Sequence, residues 1–171
     1  MPEGHTIHRV ARAHGKLFAG ERLAVSRPQG RIAAGAAALD GRRLAGVEAL
    51  GKHLFCPNRC DLLDADGYRH HADRLGPDPL RKDADPERAW VRISRSKAAV
   101  GAMLMNQEVI AGGGNIYRCE VLHLLGIHPE RPGKELVRDE FDRLWATLVE
   151  LMKIGVKHDR IIIEDPDRLG K

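Results

Sequence analysis

Three short stretches of this chain carry residue types that can do chemistry near neutral pH. The first is the opening Met1-Pro2-Glu3. Methionine is normally trimmed ahead of a small residue, and trimming exposes Pro2 as a free secondary amine with a pKa of about 8. Such an amine is partly unprotonated at neutral pH and attacks an aldehyde, or a masked one, to give a charged iminium. Glu3 beside it can pass a proton to a leaving or ring oxygen. Many chains also begin Met-Pro with no consequence. The second stretch is Gly51-Lys52-His53, where a lysine at a strand edge can point into a cleft and contact phosphate or donate a proton. The plainer role for such a lysine is an edge charge that discourages sheet aggregation. The third is QEVIAGGGNIY, Gln107 to Tyr117, preceded by the helical text GAMLMN. A helix, a glycine-rich turn and a new helix opening at Asn115 make an anion site, with backbone N–H groups and the Asn115 amide as donors. Glycines there, Gly114 among them, let a nucleic-acid backbone approach closely. The dinucleotide fingerprint is excluded, because Tyr117 stands where its last glycine belongs. The competing reading is a flexible connection between packed helices. Arg88, Arg92, Arg95, Lys97 and Arg118 surround the stretch against Glu87 and Glu108, which favours phosphate.

Metal chemistry finds less support. Cys56 and Cys60 have a spacing found among zinc ligands, and His70 and His71 follow. A structural zinc site needs a second well-spaced pair, which adjacent histidines do not supply. No metal is therefore expected, and His5, His8 and His14 read as helix-surface or partner-facing side chains.

The elements that must position these residues are mostly helical. Behind Gly4, residues Ile7, Val10 and Ala11, then Leu17 and Phe18, follow a helical spacing. Arg22–Arg27 and Leu44–Leu50 read as strands, and Gly51–Phe55 as the start of another. Those few strands cannot close a sandwich or barrel by themselves. Residues 61–75 are ambiguous, and Gly76-Pro77-Asp78-Pro79 reads as a breaker and linker. Pro86 opens a helix carrying Ala89, Trp90 and Ile93 on one side. A second helix spans Lys97–Gln107, with Val100, Met103 and Leu104 inward. A third spans Asn115–Leu125, with Ile116, Cys119 or Glu120, and Leu124 around it. The clearest spans Asp139–Ile154, its stripe of Phe141, Leu144, Trp145, Leu148, Leu151 and Met152 closed by Gly155 as a C-terminal cap. Together these predict an α+β chain of two parts, residues 1–75 and 76–171.

Composition bounds the rest. The chain has 171 residues, 43% hydrophobic and 4% aromatic, so its core must rest on Leu, Ile, Val and Ala. No stretch approaches the roughly 18 unbroken apolar residues of a membrane span, and the opening residues lack a secretory signal. Three cysteines without an export signal point to reduced thiols in the cytoplasm. Residues 1–60 hold ten Lys or Arg against four Asp or Glu, while residues 61–171 hold eighteen against twenty. A third this basic either attracts a polyanion such as nucleic acid or is an ordinary Arg-rich surface.

MPEGHTIHR, GKHLF, RLGPDPL and GAMLMNQEVIAGGGNIYRCEVL, in that order, resemble the formamidopyrimidine-DNA glycosylase and endonuclease VIII family. The opening resembles its actinobacterial endonuclease VIII branch. The resemblance implies a bacterial, cytoplasmic, nucleoid-associated base-excision repair enzyme, a monomer acting on double-stranded DNA with a damaged base or abasic site. It implies Pro2 as the nucleophile on the sugar C1′, Glu3 as proton donor to the ring oxygen, and Lys52 as the phosphate contact that assists proton transfer. It implies Asn115, with Gly114 and Tyr117, as the DNA-binding set of a helix–two-turns–helix part, residues 76–171. Residues 1–75 become a shortened β-sandwich-like catalytic part. Oxidised pyrimidines are the implied substrate. Several sandwich strands expected after Phe55 have no counterpart, nor has the family's C-terminal zinc ribbon, so no cofactor is expected. The rivals are a DNA-binding module without catalysis and a helical protein-interaction domain.

Overall fold

The apolar stripe of the last long helix is where the chain assembles. A computed structural model describes residues 3–26, 33–56 and 65–162. In order, the elements are α1 (Gly4–Phe18), α2 (Ala33–Leu39), β1 (Glu48–Leu50), β2 (His53–Phe55), α3 (Ala65–Arg74), α4 (Pro86–Ser94), α5 (Val100–Met105), α6 (Asn115–Leu125), a 3-10 turn (Gly133–Glu135) and α7 (Arg138–His158). The fold is α+β, with one antiparallel hairpin among the described residues.

Phe141, Leu144, Leu148, Leu151 and Met152 on α7 bury against Ala89 and Ile93 of α4, Val100, Met103 and Leu104 of α5, and Val121 and Leu122 of α6. α4 and α7 start for local reasons. The Asp85 carboxylate accepts the Glu87 N–H at 3.0 Å ahead of Pro86, and the Glu140 carboxylate accepts the Val137 N–H at 3.0 Å. These caps satisfy amides that the helix itself leaves unpaired. α6 ends at Gly126, whose φ of 65° is left-handed. α1 packs along α7 and carries the hairpin on its other flank.

Several expectations are corrected. Of the strand expected over Arg22–Arg27, residues 22–26 are described and form none: Arg22 makes a single bridge to Arg43, and Leu23 shares backbone hydrogen bonds with Gly41 and Arg42 in a pairing too short to count as a strand. The strand expected over Leu44–Leu50 is confined to Glu48–Leu50. Residues 65–74, ambiguous in sequence, are helical. On α1 the buried face is Gly4, His5, His8 and Ala11, while Leu17 and Phe18 are exposed. On α6 the buried residues are Tyr117, Val121 and Leu122, and Ile116 and Leu124 face outward. The supposed linker Gly76–Pro79 is buried throughout.

Gly155 is not a cap. α7 continues three residues past it and ends at Asp159, itself left-handed at φ 56°. A Cβ at Gly155 would overlap the Tyr117 hydroxyl and come within 3.1 Å of the His5 ring. Alanine in an exposed helix interior gains about 1 kcal/mol over glycine. Here Gly155→Ala is expected to lower stability by about 1–3 kcal/mol, the usual cost of overpacking a filled core. A denaturant midpoint that rises in this variant would show that Tyr117 and His5 can move aside.

Candidate functional site

Three segments distant in sequence meet at Gly112. The Gly4 N–H donates to the Gly112 carbonyl at 2.8 Å, tying the head of α1 to the loop before α6. A Cβ on Gly4 would lie 2.8 Å from Gly112 Cα, and one on Gly51 would lie 3.1 Å from the Gly112 nitrogen. Gly112 has φ 91° and Gly51 φ 59°. Only glycine takes up both the close approach and the left-handed backbone.

That convergence seats Glu3. Its carbonyl accepts the Thr6 N–H at 3.0 Å and so opens α1. Its carboxylate lies at the head of α6, where Oε1 accepts the Ile116 N–H at 3.2 Å. A helix N-terminus favours negative charge, and this one receives Glu3. A side chain at Gly114 would overlap the Glu3 carboxylate, so Gly114 is the residue that admits Glu3. Glu3 itself is 4% exposed. Pro2, and Met1 before it, lie outside the described residues.

Lys52 is half-buried in the two-residue turn joining β1 to β2. Its neighbour Gly51 is held by a residue that sequence reasoning missed. Asp78, 1% exposed, accepts the Gly51 N–H at 2.7 Å and the Leu80 N–H at 2.9 Å, and it meets His8 Nε2 at 2.7 Å. One carboxylate therefore joins α1, the Lys52 turn and the segment entering α4. Its only mark in the sequence is an acidic residue set between two prolines. Gln107 is the second residue missed. Its amide donates to the Gly113 carbonyl at 2.9 Å and accepts the Gly112 N–H at 2.9 Å, which shapes the glycine loop.

Asn115 is the first residue of α6 and is exposed; its Oδ1 accepts from Arg118 at 2.6 Å. Tyr117, expected with it at a DNA surface, is corrected: it is fully buried with its ring edge-on to His5 at 5.4 Å. His5 and His8 are likewise interior, not surface, side chains. Burial holds the His5 imidazole below its usual range, with Glu3 and Asp159 pulling the other way. Burial first, and Glu3 second, raise the Tyr117 hydroxyl above its usual range. Cys60 lies outside the described residues, and the Cys56–Cys60 pairing with it. The arrangement offers a buried carboxylate beside the chain's first residues, a half-buried lysine next to the Gly51 that packs on Gly112, and an exposed amide at a helix head.

Residues 75–167 match the family described as the formamidopyrimidine-DNA glycosylase H2TH domain. Endonuclease 8 1 of Mycobacterium tuberculosis is 39% identical, over 98% of this chain and 81% of that protein. The alignment runs to 218 positions against 171 residues here, so the relative carries residues within the matched span that this chain lacks. Formamidopyrimidine-DNA glycosylase of Thermomicrobium roseum is 36% identical over 63% of this chain and 37% of its own length. Among solved structures, Lactococcus lactis Fpg with an abasic site containing DNA superposes with a TM-score of 0.77 at 19% identity, covering 91% of this chain and 79% of that one. The same protein with an oxidised pyrimidine containing DNA gives 0.77 at 18%, covering 96% and 83%. At such identity the superpositions show the fold.

Proposed function

Because the chain belongs to the formamidopyrimidine-DNA glycosylase and endonuclease VIII family, we propose that it excises oxidised bases, pyrimidines first, from double-stranded DNA and nicks the resulting abasic strand. The observation that carries this reading is Glu3, buried against the head of α6 in the residue next to Pro2. The reacting sugar carbon is inaccessible in stacked duplex, so the damaged nucleotide must first be flipped out. Glu3 then gives a proton to the ring oxygen O4′ and the C1′–O4′ bond opens. The Pro2 amine attacks C1′, the C1′–base bond breaks, and the amine proton leaves with the base. The iminium left on C1′ acidifies the C2′ hydrogen. Loss of that proton expels the 3′-phosphate, which nicks the strand, and water then returns the free amine. Lys52 in its turn and Asn115 at the head of α6 hold the flanking phosphates. The nucleoid in the cytoplasm is where such a substrate lies.

The rival reading, DNA binding without chemistry, is favoured by the residues present in the mycobacterial relative and lacking here. Borohydride trapping separates the two. Incubated with a duplex holding one abasic site, the intact chain is expected to give a covalent adduct. Peptide mapping should place that adduct on Pro2, and acetylating the terminal amine should abolish it. Salt-sensitive, reversible binding with no adduct would establish the rival instead.

A further inference from the structure

Three of the buried polar atoms that lack a hydrogen-bond partner belong to the adjoining heads of α1 and α6: Glu3 Oε2, His5 Nδ1 and Tyr117 Oη. Glu3 heads α1, His5 lies in its first turn, and Tyr117 comes from the first turn of α6. Gly155 of α7 faces both rings, its missing side chain leaving the room that they fill. The partnered ends of the two α1 groups are turned elsewhere: Glu3 Oε1 to the Ile116 N–H, and His5 Nε2 to the Thr6 hydroxyl at 3.2 Å.

A buried hydroxyl without a partner costs stability that phenylalanine would not, about 1–3 kcal/mol. Tyr117 carries this hydroxyl against Gly155, and it follows in the chain the residue whose N–H holds the one carboxylate that the proposed chemistry uses. The charge of Glu3 is felt there, since it helps raise the Tyr117 hydroxyl. A hydroxyl so raised keeps its proton and acts as a donor. A carboxylate that has just surrendered its proton is an acceptor-only group, and a donor waiting for it lowers the cost of that surrender.

Resting on the repair reading above, we propose that Tyr117 is a positioning residue for Glu3. Its hydroxyl donates through one buried water to the free Glu3 oxygen, and it holds the carboxylate as its proton passes to the sugar. His5 backs the Tyr117 ring edge-on and keeps the hydroxyl aimed.

The test is Tyr117→Phe, which deletes only the unpaired atom. On a duplex carrying one oxidised thymine, the rate of base release at saturating DNA is expected to fall about tenfold, a modest share of what proton transfer contributes. The DNA concentration for half-maximal rate should stay within about twofold, and the thermal midpoint should hold or rise. An unchanged rate overturns the assignment. So does a variant that unfolds, or one whose rate, affinity and midpoint all fall together, because each marks a purely structural hydroxyl. If the unaltered chain forms no adduct on abasic DNA, the repair reading fails and takes this role with it. An adduct with wild-type rates in Tyr117→Phe sinks only the role of Tyr117.

Discussion

Glu3→Gln is expected to slow base release from duplex DNA by about a hundred- to ten-thousand-fold, the range set by a lost general acid. Adduct formation on a preformed abasic site should stay within about tenfold of the unaltered chain, a loss of at most ~1.4 kcal/mol. The difference follows from where the proton is needed. With the base attached, the ring oxygen must be protonated for C1′ to become electrophilic. An abasic sugar already exists in part as the open aldehyde, which the Pro2 amine attacks without that step. The substitution leaves the site standing, because a glutamine Oε1 still accepts the Ile116 N–H now held at 3.2 Å. Gly114 leaves room for either side chain. Single-turnover assays on the two substrates read the split. Equal loss on both would remove Glu3 from the role of ring-oxygen acid, and no loss on either would remove it from the chemistry.

How much of this was legible in the sequence differs by element, for physical reasons. α4 and α7 were readable because their starts are capped locally, α5 and α6 because apolar residues and flanking glycines mark them. Pro86 after Asp85 and the glycines before Asn115 act within a turn of the residues that they order. Faces were harder to read. α6 is apolar on several sides, with Ile116, Tyr117, Val121, Leu122, Leu124 and Leu125 all available, so periodicity cannot choose among them. The choice is made by the gap at Gly155, which accepts the Tyr117 ring. On α1 the buried stripe contains two histidines, and a search for apolar spacing passes over them. Gly155 has the look of a helix stop by local grammar, yet its reason to be glycine lies in two other helices. Arg22–Arg27 has strand propensity, but the pairing seen is one bridge at Arg22 and a few backbone hydrogen bonds to residues 41–44. Glu3, Lys52 and Asn115 could be named because each sits in a distinctive short motif. Asp78 could not, since its partners His8 and Gly51 lie 70 and 27 residues away, and nothing within a few residues of it announces them.

Asp78 is also where the largest loss of stability is expected. Asp78→Ala strips the acceptor from two backbone amides, the buried one of Gly51 and the partly buried one of Leu80, and from His8 in the interior. Each amide left buried and unpaired costs about 1–3 kcal/mol. His8, itself largely buried, loses the only side chain that it meets through Nε2 among the described residues. The sum expected from denaturant unfolding is about 3–5 kcal/mol, a large share of the roughly 5–15 kcal/mol that holds an ordinary domain together. Asp78→Asn keeps one acceptor oxygen but puts N–H donors against an amide, so it should recover only part of that loss. The variant must act non-locally, since the head of α1, the Lys52 turn and the segment entering α4 share this one anchor. Proteolysis should therefore open the hairpin before the α4–α7 core, whose apolar contacts do not involve Asp78. A double-mutant cycle with His8→Leu assigns the shares, because coupled partners fall short of additivity. A loss below about 1 kcal/mol in Asp78→Ala would mean that water satisfies those amides as well as the carboxylate does. Lys52 would then owe its place to the glycine contacts at Gly112 alone.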